Sequence, residues 1–300
     1  MTFHRGAAYR MFTVCNIAFI ALLSLAALYP YLNTVAVALN DGGDSSLGGI
    51  TFYPRVPTLS NFATLLKDET ILKALVVSTA KVLVGTLLAL IVQFTAGYAL
   101  TKRRLVGRNA VLLYFMIPMF FSGGLIPTYL LYSKIGLLNH FLVYVLPGAF
   151  AFFNVIIIRT YLYTIPESLE ESAKIDGANE LTILWRIVIP LSRPILATIA
   201  LWTAVTHWND WTTTLNFVTN PGLQTLQFKL MLMIKESDMI ASLIQEASQR
   251  GATDMGGYLR VTPEAIRAAQ VVITTIPIII VYPLLQKHFI KGVMIGSVKE

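Results

Sequence analysis

The stretch Thr164-Ile-Pro-Glu-Ser-Leu-Glu-Glu-Ser-Ala-Lys-Ile-Asp-Gly-Ala-Asn179 sets charge, a proline and a glycine between two long apolar runs. It continues through Leu181, Leu184 and Ile187 or Val188 to Pro190 and Pro194. Thr164-x-x-Glu167 has the form of a capping box, with Pro166 in the first turn, where its missing N–H costs nothing. A short helix is predicted to follow, with Leu169 and Ala173 on one face and Glu167, Glu170, Glu171 and Lys174 on others. Gly177 ends it, because glycine accepts the left-handed conformation at a helix C-terminus. Asn179 then caps a second helix, in which Leu181, Leu184 and Ile187 or Val188 recur at three- to four-residue spacing. Pro190 and Pro194 stop that helix before the next apolar run. The product is a helix–turn–helix elbow with a small residue at its corner, a form suited to a soluble partner. An ordinary amphipathic loop helix is the plainer alternative.

The apolar runs on either side decide the class. The chain has 300 residues, 55% hydrophobic and 13% charged, with a mean hydropathy of +0.66. Soluble domains carry about 25% charged residues, so this is an integral membrane protein. A spanning helix needs roughly 20 mainly apolar residues. Six segments qualify, at approximately residues 11–39, 71–100, 110–131, 141–163, 195–214 and 265–285. No sustained alternation of period two supports a transmembrane barrel. The expectation is one all-helical membrane domain over residues 1–300, with long loops at 40–70 and 215–264 and the elbow at 164–194. Arg5 and Arg10 precede the first run as in a signal peptide, but the run continues to Leu39, far beyond an h-region of roughly 7–15 residues, so it reads as a retained span. The lone Cys15 excludes an intrachain disulfide.

Orientation follows from the basic residues. Arg5 and Arg10, then Lys102, Arg103, Arg104 and Arg108, then Arg159, Lys174, Arg186 and Arg193, then Lys287, Lys291 and Lys299 fall on one side, while the short turn between spans three and four carries only Lys134. Both termini and the elbow are therefore expected in the cytoplasm. The net charge of +7 sits largely in juxtamembrane runs, which points to anionic lipid headgroups rather than nucleic acid.

Glu171-Ser-Ala-Lys-Ile-Asp-Gly-Ala178, with Ile187 and Pro190 downstream, resembles the E-A-A-x-x-D-G-A…I-x-x-P coupling loop of ABC importer permeases. Ser172 stands where many relatives have alanine, a small residue for a small one. Gly123-Gly-Leu-Ile-Pro-Thr-Tyr129, Gly136-Leu-Leu-Asn139, Leu146-Pro-Gly148 and Arg159-Thr160 are similar to a carbohydrate-uptake subgroup. So is the tail, Gln286-Lys-His-Phe-Ile-Lys-Gly292 and Gly296-Ser-Val-Lys299. The resemblance runs from about Thr58 to the C-terminus. It implies the type I importer permease fold with six spans, in a bacterial inner membrane. It also implies a second homologous permease, two ATP-binding subunits that carry ATP and Mg, and a periplasmic substrate-binding protein that meets the loops. Glu167, Glu170, Glu171, Ser172, Ala173, Asp176, Gly177, Ala178 and Pro190 are then the ATPase-coupling residues. The implied cargo is an oligosaccharide, with uronic-acid polymers such as alginate the nearest in flavour.

The chain carries no catalytic cluster of its own. It contains no G-x-x-x-x-G-K-[ST], so ATP hydrolysis falls to separate subunits and no cofactor is expected on this chain. His4, His140, His207 and His288 are scattered, so no metal site is expected, and no G-x-S-x-G elbow is present. Polar residues within spans are costly and often functional. Asn154, Thr203 and His207 suit hydrogen bonds to a sugar, and Trp202, Trp208 and Trp211 suit stacking on its rings. Interhelical hydrogen bonds and an aromatic belt suit the same residues. Lys81 is expected to snorkel to the outer interface. An ATP-independent secondary transporter or channel is the other reading, with Asp210 its best carboxylate. No inverted repeat supports it. In the first long loop, Ser60 or Asn61 is expected to cap a short helix.

Overall fold

The computed structural model describes residues 7–249 and 262–297. Fourteen α-helices are named in chain order. The first four are α1 (Ala7–Ala38), α2 (Gly42–Ser46), α3 (Ser60–Lys67) and α4 (Glu69–Ala99). Then come α5 (Arg108–Phe120), α6 (Leu125–Lys134), α7 (Phe152–Leu162), α8 (Glu167–Ile175) and α9 (Glu180–Ile183). They are followed by α10 (Ile189–Leu191), α11 (Arg193–Asn209), α12 (Thr212–Phe217), α13 (Leu226–Gln249) and α14 (Pro263–Ser297). Among the described residues there is no strand, only one isolated bridge between Asn40 and Pro57.

Among the described residues, three helices are long and apolar enough to cross a membrane: Tyr9–Ala38, Glu69–Ala99 and Pro263–Val281. Three further segments pass together as bent pairs, which gives up to six if each pair is one span. The expected third span departs most from a straight helix. Its arms α5 and α6 turn by 116° at Phe121–Gly124, where Gly124 takes φ +87°. At 13 and 10 residues the arms are about 20 and 15 Å long, short of the roughly 30 Å hydrocarbon core. Phe141–Ala149 and α7 bend by 45°. The last pair joins Glu180–Leu191, which lies in the elbow, to α11, which is span five; they meet at 78°.

The backbone gathers into two compact units, Met1–Glu69 with Leu232–Thr275 and Thr70–Met231 with Ile276–Glu300. In the first, the loop after α1 folds on two buried asparagines. Asn40 accepts from the Val56 N–H at 2.7 Å and donates to Asp44 Oδ2 at 2.8 Å. Asn61 donates to the carbonyls of Ala38 and Asn40. It therefore does not cap α3, whose preceding residue Leu59 offers no side-chain cap; the open carbonyls at the end of α1 claim the amide instead. Arg55 binds Asp44 Oδ2 at 3.0 Å. The Asn40 amide and the Arg55 guanidinium hold the Asp44 carboxyl below its usual range. Thr262 opens α14, with its Oγ1 accepting from the Ala265 N–H at 3.4 Å. Most of the polar run 245–257 and Lys299 lie outside the described residues.

In the second unit, α4 presents a stripe of small and polar residues, Ala74, Ser78, Lys81, Gly85, Ala89, Gln93 and Gly97, to its neighbours. Farther along it, Phe94 and Tyr98 join Ile158 and Leu162 of α7, Ile183, Leu184 and Val188 of the elbow, and Ile195 and Ile199 of α11 in one apolar cluster. A second cluster forms around Tyr144, Val143, Val145, Leu137 and Val218.

The elbow as candidate functional site

The corner of the elbow is a Schellman motif. The Ala178 N–H donates to Ala173 O at 2.9 Å and the Gly177 N–H to Lys174 O at 3.0 Å. Gly177 takes φ +79°, which an L side chain adopts only at a cost. Ala173 and Ala178 pack together against the apolar cluster, so the small residues of the motif fill the inner side of the turn. Asn179 Oδ1 accepts from the Thr182 N–H at 2.8 Å, which caps α9 as expected.

The start of α8 differs from the expectation. Pro166 is its N-cap and makes no side-chain bond. Thr164 Oγ1 donates to Tyr161 O at 2.7 Å instead, joining the Thr164 N–H on the same carbonyl in the last turn of α7. Leu169 and Leu181 also face outward, Leu181 at 68% exposure, and Ile183 takes the buried place. A wide π-type turn at Leu184–Val188 accounts for the shift. Pro190 has no N–H to give and its ring crowds the carbonyl four residues back, so the ladder widens ahead of it. The helix passes Pro190, ends at Leu191 and turns at Ser192 into α11.

Charge fastens the elbow to the end of α4. Lys102 Nζ contacts Glu170 and lies 3.5 Å from Glu180, so it reaches both arms. It sits 4.0 Å from the Tyr98 ring centroid, and the Tyr98 hydroxyl donates to Glu180 Oε2 at 3.1 Å. Lys174 pairs with Glu180 at 2.7 Å. The bond from Lys174, with the nearby Lys102 charge and the Tyr98 hydroxyl, holds the Glu180 carboxyl below its usual range. Arg103 lies 3.5 Å from Glu167, both well exposed. Lys102, Arg103, Glu167, Glu170, Lys174 and Glu180, with Glu171, line a cleft of about 400 Å³.

The expected coupling residues thus divide. Glu167 and Glu170 are taken up inside the chain, and Ala173 and Ala178 are packing residues. Glu171 and Asp176 are exposed and, among the described residues, have no side-chain partner. Ile175 between them is 86% exposed. Ser172 accepts the Asp176 N–H on its carbonyl, and Pro190 sets the turn below. Tyr98, Lys102 and Glu180 were not singled out from sequence. The Tyr98-x-x-x-Lys102 spacing at the end of an apolar run is the signal that points to the first two.

The expected pathway residues have separate neighbours. Asn154 donates to Gln93 Oε1 at 3.0 Å, and Gln93 donates to Ala149 O. His207 is buried in a slot between two glycines: a Cβ on Gly85 would stand 2.6 Å from its Nε2, and one on Gly148 3.1 Å from its Cε1. Both sets converge on the 3-10 turn Pro147–Ala149. Thr203 and Trp208 are buried too, and Thr203 Oγ1 has no hydrogen-bond partner among the described residues. Lys81 does not snorkel. It is fully buried and donates to Asp210 Oδ2 at 2.7 Å and Asp210 O at 3.0 Å, because the chain leaving α11 places both acceptors beside it.

Residues 85–295 match the family described as the inner membrane component of binding-protein-dependent transport systems. The chain is 39% identical over 299 residues to Protein LplC of Bacillus subtilis (strain 168), covering 99% of this chain and 98% of that one. It is 33% identical over 290 residues to the polygalacturonan/rhamnogalacturonan transport system permease protein YtcP of the same organism, covering 97% and 99%. Among solved structures, it superimposes with a TM-score of 0.82 and 29% identity on a chain of a bacterial ABC transporter involved in the import of the acidic polysaccharide alginate, covering 95% of this chain and 98% of that one. The length of these matches, and the six apolar segments that carry them, place the chain in the family of binding-protein-dependent transport system inner membrane components.

Proposed function

We propose that this chain is the permease subunit of an ATP-driven importer of oligosaccharide, and that its elbow docks on the ATPase. The observation that carries the docking is the division of the elbow into two faces. Its inner face is locked by the Schellman corner and the Lys102 ion pairs, while Ile175 and Asp176 face outward and Glu171, exposed at the cleft, is open to another protein. An apolar tip flanked by two unpaired carboxylates suits a groove with arginine at its rim.

The rest of the assembly follows from this reading. Two ATP-binding subunits hold ATP and Mg, a second homologous permease completes the pathway, and a periplasmic binding protein delivers the cargo. Both termini lie in the cytoplasm with the elbow, on the side rich in lysine and arginine. ATP-driven closure of the ATPase pair moves the elbow as a rigid body and swings the attached spans from inward- to outward-facing. Asn154, Thr203, His207 and Trp208 act on the pathway by fixing the packing of spans two, four and five. Two of the similar proteins are named for polygalacturonan/rhamnogalacturonan transport and for import of the acidic polysaccharide alginate, which supports an acidic oligosaccharide. The ATP-independent reading needs a free carboxylate within a span, and Asp210 is tied to Lys81.

The test is purification of the tagged chain from native membranes in mild detergent, with mass spectrometry of its companions. Recovery of an ATPase and a second six-span permease supports the reading. Recovery of the chain alone, under conditions that keep other transporters intact, overturns it.

A further inference from the structure

Of the three long apolar helices, α1 contains Pro30, α14 contains Pro277 and Pro283, and α4 contains no proline over 31 residues. The other three spans are bent pairs. One unbroken helix free of proline therefore links two polar fastenings. At its elbow end stand Tyr98 and Lys102, described above. Toward the other end stands Lys81, 17 residues before Tyr98, or about 26 Å at 1.5 Å per residue.

The surroundings of Lys81 tie down the whole segment that leaves span five. Asp210 Oδ2 receives Lys81, while its Oδ1 accepts the Thr213 N–H at 3.0 Å and so caps α12. The Lys81 ammonium lies 4.7 Å from the Tyr144 ring centroid. The Tyr144 hydroxyl donates to Leu223 O at 2.7 Å and pairs with Thr214 Oγ1, which pairs in turn with Thr225 Oγ1. One turn before Lys81 on α4, Ser78 Oγ accepts the N–H of Leu226, the first residue of α13. Lys81 and Ser78 of α4, with the neighbouring Tyr144, thus hold this segment at both its ends, and Thr219 and Asn220 between them bind Asn139 Oδ1.

A buried ion pair is no more stabilising than a well-packed apolar pair, and a lysine inside a span is costly. Stability alone does not account for it. We propose that Lys81 and Asp210 are a positioning pair for the transport cycle. They make the segment Asp210–Leu226 and α4 move as one body, so that a shift of this segment when the binding protein docks is carried along α4 to the elbow. The proposal rests on the importer reading, which places that segment on the binding-protein side. Lys81 acts through Asp210 and α4, and does not touch cargo.

The experiment uses the complete complex in lipid nanodiscs and measures ATP hydrolysis with and without cargo-loaded binding protein. For Lys81→Met and Asp210→Asn, the complex is expected to assemble and hydrolyse ATP, with the stimulation ratio down at least fivefold and uptake down with it. Should Lys81→Met prevent recovery of the complex, Asp210→Asn carries the test, since it keeps the side-chain shape and the backbone carbonyl that Lys81 also binds. A stimulation ratio equal to wild type overturns the proposal, including where all rates fall in proportion, as a purely structural pair requires. Failure of any ATPase to co-purify with the wild-type chain overturns the importer reading instead, before either variant is made.

Discussion

The Ala178 N–H lies 2.9 Å from the Ala173 carbonyl, and Gly177 between them holds φ +79°. That hydrogen bond turns a charged loop into a corner of fixed angle. A Cβ at Gly177 meets nothing within 4 Å, so only backbone strain opposes alanine there. Gly177→Ala is expected to cost about 1–2 kcal/mol, with the protein inserted and uptake reduced. Gly177→Pro adds the loss of the N–H given to Lys174 O and a φ that proline cannot reach. It is expected to abolish uptake while ATP hydrolysis continues. Parallel assays of uptake and hydrolysis check both, and normal uptake by Gly177→Pro would remove the role given to the elbow.

Lys102 joins α4 to both arms of the elbow. Its side chain and that of Glu170 are each about a quarter exposed (27% and 23%), so solvent screens the pair and its contribution is held to about 1 kcal/mol. Lys102→Met is expected to lower the uptake obtained per ATP hydrolysed several-fold, while the ATPase still co-purifies. Lys102→Arg restores most of it. A double-mutant cycle with Glu170→Gln reads the pair directly; additive single effects contradict the link.

Glu180 gives the elbow a defined acid limit. The bond from Lys174, the Lys102 charge and the Tyr98 hydroxyl hold its carboxyl below the usual glutamate range. A depressed carboxyl stabilises the fold above its unfolded pKa, and that contribution is lost as the pH falls through the lower folded value. Protection of the 170–184 backbone amides from hydrogen exchange should therefore be level from neutral pH down to about 4.5 and fall below it. Glu180→Gln should remove that step. A step that persists in Glu180→Gln assigns the acid limit to another group.

How much of this was legible in the chain depended on range. The corner at Gly177 and the cap at Asn179 are decided within five residues, and residue type alone fixed both. The 116° between the arms of span three is set by packing that no local pattern encodes. Thr164 lost its expected cap to the carbonyl of Tyr161, and Leu181 lost its buried place to the π-type turn ahead of Pro190. Both outcomes turn on competition between neighbouring backbone groups. Lys81 and Asp210 lie 129 residues apart, so a lysine that looked bound for the interface meets its carboxylate only once spans two and five pack.

His207 and Gly85 test that packing from the opposite direction. A Cβ at Gly85 would stand 2.6 Å from His207 Nε2, far inside contact distance, so the ring must shift. Room for that shift is small, since a Cβ at Gly148 would also stand only 3.1 Å from the same ring. Gly85→Ala is therefore expected to destabilise the chain by about 1–3 kcal/mol, the usual range for overfilling a packed site. The same substitution at Gly123, where a Cβ meets nothing within 4 Å, is expected to be close to neutral. Replacing His207 by serine alone opens a cavity and also destabilises. Combined with Gly85→Ala, it should recover much of the loss, since each change relieves the other. Thermal unfolding of the four proteins in one detergent measures the cycle. If the two losses simply add, the imidazole is not lodged between the glycines.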